Sequence, residues 1–235
     1  MRFSIGTLWN DFLAQIFPEF CHCCHGEILS AEHLICTSCI ATLPKTNHIN
    51  EQQNELWVKF SNRIRFEYAI AYFKFYKKGK IQPLLHSLKY HNNQELGILL
   101  GNMFGYDLNE NGFANKFDLL VPIPLHKSKL KKRGYNQSDV IAKGIAERLH
   151  VTVATDVVIR TQATKTQTKI GKTERWENVA DKFEVLKPEA IEGKHIVLLD
   201  DVVTTGATFD ALAEVILKYN PSKISILALA EAQRY

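Results

Sequence analysis

The sequence predicts an α/β protein, a mainly parallel sheet flanked by helices, with a small four-cysteine module at its N-terminal end. Three observations predict it. From residue 66 onward, short apolar runs of strand type alternate with segments of helical period. The runs at 195–199 and 224–229 bracket one helical stretch near 207–219, the order of a βαβ unit whose buried strands lie parallel. All five cysteines fall between positions 21 and 39. A chain of 235 residues is long enough for one well-buried core plus an appendage. The expected division is 1–54 for an N-terminal helix, the cysteine module and a linker, and 55–235 for the α/β domain.

Taken in order, Ile5, Leu8, Trp9, Phe12, Leu13, Ile16 and Phe17 recur at helical spacing and predict an amphipathic helix over 5–17. Its apolar face would pack on the main domain, or alternatively dock a membrane or a partner. Arg2, Asp11 and the lack of a small-residue cleavage pattern argue against a secretory signal, and no run approaches the roughly 20 apolar residues of a membrane span. A cytoplasmic protein is expected. Cys21-x-x-Cys24 and Cys36-x-x-Cys39 form two knuckles, and four thiolates can complete the closed tetrahedral shell of a structural Zn²⁺. Free buried thiols or disulfides explain two matched pairs less well. Cys23 could replace Cys24 if the turn rearranged; the spacing favours Cys24. The polar stretch 46–54 reads as a linker.

Strand or helix patterns follow at 66–75, 81–88, 96–104, 117–123 and 138–149. The formal charge of +4 names no partner, but its distribution does more. Lys127, Lys129, Lys131, Lys132 and Arg133 form one basic cluster, and Arg160, Lys165, Lys169, Lys172 and Arg175 form another with only Glu174 to offset it. Both point to anionic ligands. The first cluster follows a strand stopped by Pro122 and Pro124, and Gly134 permits an unusual backbone turn before the next helix. Such a loop could grip pyrophosphate, with Arg133 able to clamp oxygens bidentately. Residues 160–178 are rich in Thr and cations and almost free of apolar side chains, the composition of a mobile loop.

The segment 196–208 carries the most specific signal. Four apolar residues lead into Asp200 and Asp201, followed by Val202, Val203, Thr204, Thr205, Gly206, Ala207 and Thr208 before an apolar helix. Carboxylates at the C-terminal end of a buried strand suit vicinal sugar hydroxyls, directly or through a hydrated cation. The hydroxyls, the glycine and the free N–H groups of the following helix suit a phosphate. A strand end with an ordinary helix cap would not need this many groups in this order.

The stretch V-L-L-D-D-V-V-T-T-G-A-T-F closely resembles the signature segment of type I phosphoribosyltransferases. F-P-x-x-C-x-x-C with its second Cys pair, then H-S-L-K-Y, D-L-L-V-P-I-P-L-H, R-G-Y-N-Q-S and R-W-E-N-V with Phe183, are similar in order to the ComF family of competence proteins, over nearly the whole chain. The resemblance implies a type I phosphoribosyltransferase-like fold that binds phosphoribosyl pyrophosphate with Mg²⁺. In it Asp200 and Asp201 contact ribose as the candidate catalytic pair, and Thr204, Thr205, Gly206, Ala207 and Thr208 hold the 5′-phosphate. It places Lys127, Lys129 and Arg133 in the pyrophosphate loop and Arg160 and Arg175 in a closing lid; Lys89 could also reach the ligand. It further implies a role in natural transformation and DNA uptake. Two readings stay open: phosphoribosyl transfer to an unidentified acceptor, for which no general base stands out, and non-catalytic handling of single-stranded DNA or adaptor contact with other competence proteins such as a DNA-translocating helicase. Tyr90, Tyr135 and Trp176 are the rings available for stacking on bases.

Overall fold

The computed structural model describes residues 19–28, 33–161 and 183–233. The helix expected over 5–17 lies outside them, as do Arg175, Trp176 and most of the 160–178 loop. Among the described residues the chain runs α1 (Thr37–Ala41), α2 (Glu55–Ser61), β1 (Ala69–Phe75), α3 (Ile81–Tyr90), α4 (Gln94–Glu110), β2 (Leu119–Pro122), α5 (Lys127–Arg133), α6 (Gln137–Leu149), β3 (Thr152–Val153), β4 (Val158–Arg160), β5 (Phe183–Val185), β6 (His195–Val203), α7 (Ala207–Leu217) and β7 (Lys223–Ala232).

Five strands form one sheet in the order β1-β7-β6-β2-β3, every neighbouring pair parallel, while β4 and β5 pair antiparallel as a separate ribbon. The expected parallel α/β sheet is present. Because side chains alternate across a strand, β6 feeds two cores at once. Val197 and Leu199 join the core under α3, α4 and α6, and Ile196 and Leu198 join the core under α2 and α7. β6 continues through Asp200 and Asp201 to Val203, so the acidic pair lies within its last turn of pairing with β7 and not beyond it.

Helices α4 and α6 touch backbone to backbone. A Cβ added at Gly144 would lie 2.2 Å from the Ile98 carbonyl oxygen, and one at Gly101 2.2 Å from that of Ile141. This close approach seats α6 firmly and fixes where its first residues, Gln137 and Ser138, enter the domain.

The cysteine module shares a core with the sheet: Cys21, Cys23, Ile35, Cys39 and Leu43 are buried together with residues of α3, α4 and β1. The polar stretch read as a linker is docked on β1. Thr46 N–H donates to the Tyr72 carbonyl (2.9 Å), Lys74 N–H to that of Pro44 (2.8 Å), and Ala71 N–H to His48 Nδ1 (3.2 Å). Its polarity serves the hydrogen-bonding groups of an edge strand, which a composition-based reading cannot distinguish from solvent exposure. Asn54 then caps α2, accepting from Trp57 N–H at 3.0 Å while donating to the Ala69 carbonyl at 2.9 Å.

Candidate functional site

From β2 the chain moves to β3 on one side of the sheet, and from β6 it moves to β7 on the other. The crevice between the ends of β2 and β6 is therefore the switch point where open α/β sheets bind ligands. A cavity of about 230 Å³ occupies it, with Asp200 and Asp201 on one wall, Thr208 at the start of α7, Gln137 and Ser138 from α6, Ile123 to Leu125 from the β2 exit, and four cations: Lys89, Lys129, Arg133 and Arg160.

The cavity is tightly wired. Ser138 Oγ and the Asp201 backbone N–H both donate to Asp200 Oδ1 at 2.9 Å. Lys89 Nζ pairs with Asp201 Oδ2 at 2.8 Å. Arg133 Nη1 donates to Gln137 Oε1 at 2.6 Å, and Arg160 sits 5.2 Å from the Phe183 ring centre, on the β4–β5 ribbon. Burial, and then the adjacent Asp201, push the Asp200 carboxyl up to about 7. Burial, with Arg160, Arg133 and Lys89 close by, lowers Lys129. Cations and acids are thus both crowded: the site carries surplus positive charge against which an anion gains, and an acid pair that gains from hydroxyl donors or a cation.

Several placements are informative. Gly134 ends α5 with φ +81°, as its sequence context suggested. The segment 127–133 is a short helix where only a turn was expected, started by His126, whose Nδ1 accepts from Ser128 N–H at 3.2 Å. Thr204 and Thr205 are exposed in the turn after β6, and Thr208 faces the cavity. Gly206 has φ +84°, and a Cβ there would lie 2.4 Å from the Phe60 ring. The close approach that requires glycine at this position is therefore to α2 as well as to any ligand. Lys127 is exposed and does not line the cavity. Tyr135, expected as a stacking ring, is buried with its hydroxyl donating to the Leu88 carbonyl, because it closes the space between α3 and α6. Tyr90 is 62% exposed. Ser138 and Gln137, in the R-G-Y-N-Q-S motif, gain a place only in the fold, where the first turn of α6 meets Asp200.

A second groove of about 640 Å³ adjoins the first. It shares Lys89, Lys129 and Arg133 and adds Tyr90, Asn92, Lys131, Lys132 and Gly134. Among the described residues no carboxylate lines it. The Arg133 guanidinium lies 5.9 Å from the Tyr90 ring centre.

At the other end of the chain, Sγ atoms of Cys21, Cys24, Cys36 and Cys39 all lie within 4.8 Å of one another, a group that could hold a metal ion. The Cys24–Cys36 separation of 3.9 Å is close to the edge of about 3.8 Å for a tetrahedron of sulfurs around zinc. Cys23 points elsewhere, with its thiol 3.5 Å from the Lys80 carbonyl.

Residues 89–235 match the family model for the phosphoribosyl transferase domain. The chain belongs to the phosphoribosyl transferase domain family. This domain covers the sheet from the end of α3 onward. The DNA utilization protein YhgH of Escherichia coli (strain K12) is 29% identical over 152 residues, 63% of this chain and 66% of that one, so the match spans just under two thirds of that relative. Competence protein F of Haemophilus influenzae is 23% identical over 231 residues (94% of this chain, 100% of that one), and competence protein ComFC of Bacillus subtilis 26% over 221 (92% and 86%). These relatives and the matched domain make this a ComF-family protein with a phosphoribosyltransferase-like domain. Among solved structures, the glutamine phosphoribosylpyrophosphate amidotransferase of B. subtilis aligns at 16% identity with a TM-score of 0.40, over 57% of this chain and 26% of that one. Among the described residues, no helix is long and apolar enough to cross a membrane.

Proposed function

We propose that this chain is a cytoplasmic DNA-uptake competence protein whose phosphoribosyltransferase-like domain binds phosphoribosyl pyrophosphate. The observation that carries the reading is the pairing of opposites in one small cavity: an acid pair on β6 and the cations Lys89, Lys129, Arg133 and Arg160 line the same space of about 230 Å³, with Thr208 at the end of the Thr/Gly turn. Asp200 and Asp201 would take the ribose hydroxyls, the 204–208 turn the 5′-phosphate, and the cations the pyrophosphate. Mg²⁺, when bound, neutralises pyrophosphate charge; Asp200 and Asp201 supply the carboxylate oxygens in the cavity lining that would hold it. The chemistry such a site supports is displacement at the anomeric carbon, in which an acceptor lone pair forms the new bond as the bond to pyrophosphate breaks.

Zn²⁺ held by Cys21, Cys24, Cys36 and Cys39 is the proposed structural metal. Titration calorimetry with phosphoribosyl pyrophosphate and Mg²⁺ tests the ligand: binding to the wild type that is lost in Asp201→Asn is expected, and no binding by the wild type at millimolar ligand overturns the reading. Pyrophosphate release in the presence of bases, nucleosides or single-stranded DNA then identifies the acceptor.

The groove beside the cavity favours a second reading, in which the protein handles single-stranded DNA and meets other competence factors such as a DNA-translocating helicase. Five cations, no acid among the described lining residues and an exposed ring suit a phosphate backbone with a base stacked on Tyr90. A Lys131→Glu/Lys132→Glu variant should bind single-stranded DNA more weakly at low salt and with a shallower salt dependence; wild-type behaviour would remove the groove from this role.

A further inference from the structure

Residues 55–63 precede the matched domain, yet they lie against the turn that follows β6. The Phe60 ring fills the space beside Gly206 and meets Phe209 edge-on at 6.2 Å between centroids. Arg63 lies over that ring, 5.2 Å from its centre. Its guanidinium pairs with Asp210 in the first turn of α7, and Nη2 donates to the Lys59 carbonyl (2.8 Å) and to the Thr205 carbonyl (3.4 Å). Helix α2, which carries Phe60 and leads directly into Arg63, is held independently of the turn, by the Asn54 cap on one end and by Lys59 Nζ to Glu231 Oε1 at 3.2 Å toward the other.

Two consequences follow from elementary geometry and charge. The 205–206 peptide is trans, so a carbonyl bonded to Arg63 turns the Gly206 N–H away from α2, onto the opposite side of the turn. Asp210 is a buried carboxylate close to the N-terminal end of α7, where an anion would approach; with Arg63 removed it would oppose that anion. Arg63 Nη1 donates to Asp210 Oδ2, and among the described residues Oδ1 has no hydrogen-bond partner, so Arg63 is the cation that offsets this carboxylate.

We propose that Arg63 is a positioning residue for the phosphate-holding turn, fixing the Thr205 peptide and cancelling Asp210, so that a segment outside the transferase domain completes the ligand site. The inference rests on the phosphate role assigned to residues 204–208 above. Its test combines calorimetry of phosphoribosyl pyrophosphate with Mg²⁺, hydrogen exchange and melting, all on the full chain.

Arg63→Met should weaken binding at least tenfold at a temperature where the variant is fully folded. Arg63→Met/Asp210→Asn should recover much of that loss, because the unpaired charge is gone. Arg63→Lys should fall between, keeping the charge while losing the bond to Thr205. Amide exchange of residues 205–208 should quicken in Arg63→Met while that of α4 and β7 stays constant. Unchanged binding in Arg63→Met, or the same loss in the double variant as in the single one, overturns the positioning role. If the wild type binds no phosphoribosyl pyrophosphate, the ligand reading fails on its own, and exchange at 205–208 still decides the brace: unaltered exchange there refutes it.

Discussion

Replacing Asp200 by Asn should make the ligand-free protein more stable, increasingly so as the pH rises. Burial and Asp201 move this carboxyl from 3.8 to about 7. The folded state therefore holds a proton that the unfolded chain has released between those values, and stability falls as pH rises through that window and levels off above it. Taken at 1.36 kcal/mol per tenfold, the displacement corresponds to about 4 kcal/mol; solvent reaching the partly exposed pair lowers the expected figure to about 2–4 kcal/mol. Asn keeps the size and can accept from Ser138 and the Asp201 N–H through its Oδ1, but carries no charge to bury. Thermal melts of wild type and Asp200→Asn from pH 4 to 9 should separate little at the acid end. The variant should gain at least about 4 °C above pH 7, while losing affinity for phosphoribosyl pyrophosphate. A difference in melting temperature that stays flat across this range would refute the claim that Asp200 is ionised at a cost. The outcome expected is the trade of stability for a charged site.

Chelation should release about one zinc per chain and lower the melting temperature, since metal binding to such a cluster is folding free energy; a metal-free preparation of equal stability would remove the metal from the fold. Gly144→Val forces apart two helices in backbone contact and should cost at least about 1–3 kcal/mol, read as a lower denaturation midpoint; a midpoint within error of wild type would show that α4 and α6 separate easily.

The part of the candidate site on β6 and α7 was legible in the chain because its groups are contiguous. Asp200 through Thr208 are one strand end, one turn and one helix start, and a local pattern of that kind needs no tertiary information. The knuckle cysteines are similar: two pairs with fixed spacing state their own geometry, and the structure places Cys24, not Cys23, with the others. Ser138 and Arg63 were not legible. Their partners lie 62 and 147 residues away, and nothing in a serine before an aspartate, or an arginine after an asparagine, announces the distant carboxylate it will meet. Helix α2 had a signal, Asn54 before Glu55 with Leu56 and Phe60 four apart, but it was short and followed a polar stretch. Tyr135 misled because an aromatic beside a basic cluster looks exposed until α3 is packed against it.

The polar segment docked along β1 bears on how this protein must be handled. β1 is an outer strand of the sheet, and its open side is covered by residues 44–48. A fragment beginning at α2 would keep every group of the ligand cavity yet bare a row of unpaired N–H and carbonyl groups on a strand reading AIAYFKF, a template for pairing with other copies. The segment that follows the cysteines is thus expected to guard against self-association, and a fragment lacking it to precipitate under conditions where the whole chain does not.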